Sequence, residues 1–122
     1  MAALLTAAER EALLPPLGEA GWAAVEGRDA IRKVWRFGSF VEAWGFMARA
    51  ALQAQAMDHH PDWRNAYDVV DVTLTTHDAR GLTALDLARA RAMDRLAGGA
   101  TVVGDQGAPI LCLCAARAAE RG

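Results

Sequence analysis

QAMDHHPDWRNAYDVVDVTLTTHDARGLTALD, residues Gln55–Asp86, is the stretch that decides the fold. A helix running into it must stop before Pro61, which has no amide hydrogen to donate and pushes His60 towards an extended conformation. Asp58-His59-His60-Pro61 is therefore expected as a loop at a helix C-terminus. Arg64–Tyr67 is expected as a short strand, with Asp68-Val69 as a tight turn. Val70, Val72 and Leu74 alternate with Asp71, Thr73 and Thr75, the period of a half-buried strand. Gly81 interrupts the chain, and Thr83 with Asp86 forms a capping box that opens a helix. The same stretch holds all three histidines of the chain: His59, His60 and His77. Continued alternation puts His77 on the Asp71/Thr73/Thr75 face.

Upstream, Ser39 and Glu42 form a second capping box, and a long helix is expected from there to about Met57. Phe40, Val41, Trp44, Met47, Ala48, Ala51 and Leu52 recur at helical spacing and are expected to be its buried stripe. Gln55 continues that stripe to within a turn of the histidine pair, with His59 as its expected neighbour. Before it, Trp22–Val25 and Ala30–Phe37 read as a hairpin around Glu26-Gly27-Arg28-Asp29, with Ile31, Trp35 and Phe37 on one face. Arg28-Asp29 reads as an ion pair within that turn. Thr6 and Glu9 cap a first helix, which Pro15 and Pro16 are expected to end or kink. Downstream, Leu85, Ala88, Ala92 and Leu96 form the expected stripe of the last helix, and Gly98-Gly99 ends it. The order α-β-β-α-β-β-α predicts an α+β domain over residues 1–99: a four-stranded antiparallel sheet with three helices packed on one face. Residues 100–122 form a C-terminal extension without clear period.

The chain has 122 residues, enough for one domain with a real core. Its net charge of −2 gives no basic footprint for nucleic acid. No apolar run approaches the roughly 20 residues of a membrane span, and no secretory signal is visible. Cys112 and Cys114 make neither a disulfide framework nor a complete zinc site, so a reducing, cytoplasmic setting is expected.

Histidine titrates nearest neutral pH, so its clustering points to proton transfer or metal binding. A carboxylate such as Asp86 can orient an imidazole by accepting from one ring nitrogen, although its place in a capping box already explains it. Trp63 can wall a pocket or stack on a flat ring; Trp35 and Trp44 read as core, and Trp63 fits there too. A loop histidine is also often just a solvated polar group. For metal, His59, His77 and Asp58 or Asp86 could supply three ligands with an open position, which keeps a metal-dependent hydrolase as an alternative. No H-E-x-x-H or comparable pattern accompanies them.

Asp58-His59-His60-Pro61-Asp62-Trp63, Tyr67, Thr75-Thr76-His77, Gly81-Leu82 and Asp86 together resemble the signature of the pterin-4a-carbinolamine dehydratases. Leu13-Leu14-Pro15, Gly21-Trp22, Glu26–Ile31 and Gly45-Phe46-Met47 are similar to that family's scaffold, so the likeness runs from about Leu4 to Leu96. The resemblance implies an α+β fold and metal-free dehydration of 4a-hydroxytetrahydropterin, the product of aromatic amino acid hydroxylases, to quinonoid dihydropterin. It implies His59 and His77 as the acid/base pair, with His60 against the pterin and Asp86 in support. Gln55, Asp58, Pro61 and Trp63 then line the substrate site, and no cofactor or metal is required. It also implies a homodimer or homotetramer. Mammalian members bind a homeodomain transcription factor, so a non-catalytic dimeric interaction module is the alternative of a different class. Position 55 usually carries an acid in that family. Gln55 offers hydrogen bonds without charge, so its histidine neighbour lacks a carboxylate that would favour the imidazolium.

Overall fold

The computed structural model describes residues 2–103. Its elements in chain order are α1 (Ala7–Glu19), β1 (Ala23–Ala24), β2 (Ile31–Arg36), α2 (Phe40–Met57), β3 (Asp62–Ala66), β4 (Val69–Leu74), α3 (Ala84–Ala97) and β5 (Thr101–Val102). The sheet is antiparallel, in the order β1-β2-β4-β3, with β5 also on β2. β4 runs along all of β2, from Ile31 opposite Leu74 to Arg36 opposite Val69. β1 takes the other edge of β2 at Ile31-Arg32, and β5 takes it at Trp35-Arg36. The expected α+β architecture stands, with five strands in place of four.

All three helices contribute to one core on one face of this sheet. Ile31, Trp35 and Phe37 of β2 and its end, and Val70, Val72 and Leu74 of β4, meet Leu17, Phe46, Ala50, Leu87, Ala90 and Met93. Trp35 is the largest fully buried side chain. Its ring packs edge-on to Trp22, at 5.6 Å between centroids, and against Phe46 at 5.1 Å. Aromatic pairs in such geometries add about 0.5–1.5 kcal/mol beyond their buried area. Lys33 shares the core face. Its Nζ donates to Asp94 at 2.7 Å and to the Ala20 carbonyl, and lies 5.0 Å from the Trp35 ring centre. The opposite face carries Arg32 paired in a bidentate manner with Asp71, both buried, beside a small cluster of Val34, Val69 and Val103.

Several local expectations change. α1 continues through Pro15 and Pro16 to Glu19. Leu17, beyond both prolines, is buried in the core, and Ala20 N donates to Pro16 O. Packing of that last turn offsets the lost backbone bonds. β3 starts at Asp62, so Trp63 lies inside the strand, and the turn falls on Tyr67-Asp68, with Tyr67 at φ 52°. The buried side of α2 is Ala43, Phe46, Ala50 and Ala54, while Phe40, Val41, Trp44 and Leu52 are exposed, Val41 by 76% and Leu52 by 75%. The helix is apolar nearly all round, so periodicity picked the wider stripe and the sheet took the narrower one. On α3 the buried side includes Leu87, Arg89, Ala90, Ala92, Met93 and Ala97, while Ala88 is exposed. Arg89 disguised that face. It is buried, with its guanidinium donating to Gln53 Oε1 and the Ala50 carbonyl of α2, and burial lowers its pKa from the usual arginine value.

Gly98-Gly99 ends α3 as expected, but the sheet does not end there. Thr101–Val102 pairs with β2, and Val103 N donates to Val34 O at 2.9 Å. Cys112 and Cys114 lie outside the described residues. Losing β5 and buried Val103 removes about 2 kcal/mol of apolar burial and hydrogen bonding. A chain ending at Gly99 should therefore melt below one ending at Val103 by about 5–15 °C. Equal melting temperatures would show that β5 adds nothing.

Candidate active site

The site is assembled where α2 ends, β3 begins and β4 ends. Asp58 caps α2 in the left-handed conformation, φ 50° and ψ 41°. An aspartate tolerates that geometry better than most residues. His59 N then bonds back to Ala54 O at 3.0 Å, which turns the chain sharply. The two neighbouring imidazoles separate at this turn, since His59 is 5% exposed and His60 is exposed.

His59 points under the sheet's end into a closed polar network. Its Nε2 donates to Asp86 Oδ1 at 2.7 Å. Asp86 is fully buried at the start of α3, and its Oδ2 accepts from Thr76 Oγ1 and from Thr83 N, both at 2.8 Å. Thr76 spends its hydroxyl hydrogen on Asp86, so Thr83 Oγ1 donates to Thr76 at 2.7 Å and accepts from Leu85 N. The capping box and the histidine contact expected for Asp86 thus coexist. With Nε2 protonated, His59 Nδ1 is buried without a hydrogen-bond partner among the described residues.

His60 and His77 face outward. His60 Nε2 donates to Gln55 Oε1 at 3.1 Å, so Gln55 serves His60 and not His59. The left-handed cap at Asp58 is the reason, since it directs His59 inward and leaves His60 beside the last turn of α2. His77 follows β4 in a turn closed by Thr76 N to Gly81 O and Gly81 N to Thr76 O. Its side chain is 65% exposed, with Nε2 3.7 Å from Asp62 Oδ1. Asp62 pairs with Thr73 across the β3–β4 ladder, so both outward histidines leave from the open end of one hairpin. Pro61 is half-buried between the pair and β3, and Trp63 packs against the main core. Asp58 is exposed. Among the described residues no three histidine, cysteine, aspartate or glutamate side chains converge as a metal-ligand group.

Thr76, Thr83 and Asp62, which the sequence places in the signature or the helix cap but not among the site residues, join the site, as does a clamp behind the His77 turn. Asp29 pairs with Arg10 of α1, at 2.7 and 2.9 Å, and not with its neighbour Arg28, which reaches Asp62 at 3.5 Å. Arg10 lies nineteen positions away, beyond any local pattern. Its hydrogen bonds hold the Asp29 carboxyl below the usual carboxylate range, against an opposing effect of burial, with help from Leu82 N–H.

A pterin 4 alpha carbinolamine dehydratase profile matches residues 3–96. The chain belongs to the pterin carbinolamine dehydratase family. A Dinoroseobacter shibae protein, itself only provisionally named as a dehydratase of this family, is 54% identical over 97 residues, 80% of this chain and 100% of its own. A Bradyrhizobium diazoefficiens protein with the same provisional name is 55% identical over 94 residues, 77% of this chain and 91% of its own. A Brucella melitensis crystal structure, described as a transcriptional coactivator/pterin dehydratase, superposes with a TM-score of 0.73 at 49% identity, covering 78% of this chain and 99% of that one. A pterin dehydratase-like RuBisCO assembly factor of the alpha-carboxysome matches at a TM-score of 0.56 and 25% identity, over 64% and 90% of the two chains. These matches support pterin carbinolamine dehydratase chemistry.

Asp86→Ala should destabilise the fold by about 3–5 kcal/mol, because it strands His59 Nε2, Thr76 Oγ1 and Thr83 N in a buried setting. Chemical denaturation measures this as a lower midpoint. A loss under about 1 kcal/mol would mean that water replaces the carboxylate without cost.

Proposed function

We propose that the chain dehydrates a 4a-hydroxytetrahydropterin to the quinonoid dihydropterin without metal, in a cytoplasmic pterin-recycling step after an aromatic amino acid hydroxylase. The observation that supports it most is the pair of solvent-facing imidazoles, His60 and His77, at the open end of one hairpin above a buried His59–Asp86 pair. Dehydration breaks the C4a–O bond and forms a C4a=N5 double bond. One imidazole gives a proton to the departing hydroxyl, which leaves as water, and the other takes the N5 proton. A general acid or base must come within hydrogen-bond reach of the proton it moves. His59, with its ring enclosed and Nε2 committed to Asp86, meets that condition least well. In this reading His60 therefore takes the acid/base role that the resemblance gave to His59, and His59 anchors the loop.

The purified chain should accelerate carbinolamine loss, and chelator should leave the rate unchanged. His60→Ala and His77→Ala should each lower kcat by roughly 10²–10⁴-fold with the fold intact. A rate that collapses with chelator and returns with zinc contradicts the metal-free reading. Full kcat in His60→Ala, with kcat lost in a folded His59→Ala, contradicts the exchange of roles. Gln55→Glu places a carboxylate at His60, favours its charged form and should move the rate profile to higher pH.

A second reading, an interaction module, is favoured by the outer side of α2. Phe40, Val41, Trp44 and Leu52 form an exposed apolar row with no covering element among the described residues. Contiguous apolar surface of this kind usually marks an interface, and a homodimer or homotetramer is the proposed occupant. Trp44→Glu with Leu52→Glu should lower the mass measured by sedimentation. A chain that is monomeric before substitution removes this proposal.

A further inference from the structure

Behind the His77 turn, one residue touches both of its ends, Thr75 through its main-chain oxygen and Leu82 through its carboxylate. Asp29, in the β1–β2 connection, accepts from Thr75 Oγ1 through its main-chain oxygen at 2.9 Å, and from Leu82 N through Oδ2 at 3.0 Å. Thr75 and Leu82 flank the closed turn Thr76–Gly81 that carries His77. Gly81 lies against the same group, so that a Cβ there would overlap Asp29 Oδ2. Asp29 is itself fixed by a bidentate pair with Arg10, whose Nε also donates to Leu5 O at 3.1 Å. Leu5 N in turn donates to Leu82 O at 2.9 Å. The chain of contacts closes on itself: α1 entry, Arg10, Asp29, Leu82 and back to Leu5. Leu82 directly precedes Thr83, so the same clamp sets the start of α3 and with it Asp86. The neighbouring Arg28 reaches Asp62, which faces His77 from the other side.

We infer that Arg10 and Asp29 are positioning residues for the acid/base site, fixing where His77 stands relative to His60 while touching no substrate themselves. The inference rests on the dehydratase reading above. A bidentate arginine–carboxylate pair sets orientation as well as distance, which a single neutral hydrogen bond does not. Displacing a reacting group by about 1 Å can cost on the order of 10²-fold in rate, so a clamp remote from the chemistry has kinetic leverage. The pair is one-third exposed and is not a major source of stability. Its role lies in geometry.

The test uses Asp29→Asn and Arg10→Gln in the full chain, with His77→Ala as the background for each. Asp29→Asn should lower kcat by about 10–100-fold with KM changed much less. In the His77→Ala background the same substitution should change kcat less than 3-fold, because the group it positions is gone. Equal losses in both backgrounds would overturn the inference, since a general structural effect does not depend on His77. Arg10→Lys should recover part of the rate lost in Arg10→Gln. Amide exchange at Thr76 and Gly81, measured in the same variants, needs no activity. If the native chain does not dehydrate the carbinolamine, the dehydratase reading fails on its own, and the clamp is judged by exchange. Faster exchange at both amides in Asp29→Asn supports it, and unchanged exchange overturns it even where the rate falls.

Discussion

A carboxylate buried at the start of a helix is the constraint on which the rest depends. Asp86 has no exposed surface, so its carboxylate must find its hydrogen-bond donors inside the protein. Thr83 N and Thr76 Oγ1 take one oxygen, and His59 Nε2 takes the other. Those three donors come from the α3 cap, the end of β4 and the loop after α2. Satisfying one side chain therefore brings three separate pieces of chain together at one end of the sheet. The left-handed cap at Asp58 and the closed Thr76–Gly81 turn then send His60 and His77 outward from that point. A low-dielectric setting makes such a network strong when complete and costly when one member is lost.

This division explains why three histidines in one short stretch are not equivalent. One is structural in its contacts and two are accessible. Adjacent residues reach opposite environments because the residue before them, Asp58, sits at positive φ and turns the chain. The family's chemistry needs one group to donate and one to accept, and two outward imidazoles suffice for that. The Nδ1 of His59 is a buried polar atom without a hydrogen-bond partner among the described residues. An orphaned buried group of this kind is uncommon in native structures.

Much of this was legible in the chain because it is local. The capping boxes at Thr6 and Thr83, the end of α2 before Pro61, and the alternation of Val70, Val72 and Leu74 are all set by residues within a few positions of one another. Asp86 as an imidazole partner was legible from residue type and from the resemblance together. What failed was set by contacts across the fold. Which side of α2 is buried depends on the sheet beneath it, and a helix apolar nearly all round does not announce that. Arg89 belongs to the buried side of α3 because its partners lie on another helix, which no local pattern shows. Gln55 was assigned to the wrong histidine because periodicity locates a helix face but does not orient the loop that follows. The Arg10–Asp29 pair joins segments with no pattern in common.

The central claim is that a reduced pterin meets His60 and His77 while His59 stays bound to Asp86. Imidazole nitrogen resonances, followed during titration with a non-reacting dihydropterin, test this directly. The account predicts saturable shifts at His60 and His77, with the His59 Nε2 proton retained and nearly unmoved. Loss of the His59–Asp86 proton on binding, or shifts confined to residues of the outer α2 face, would contradict it.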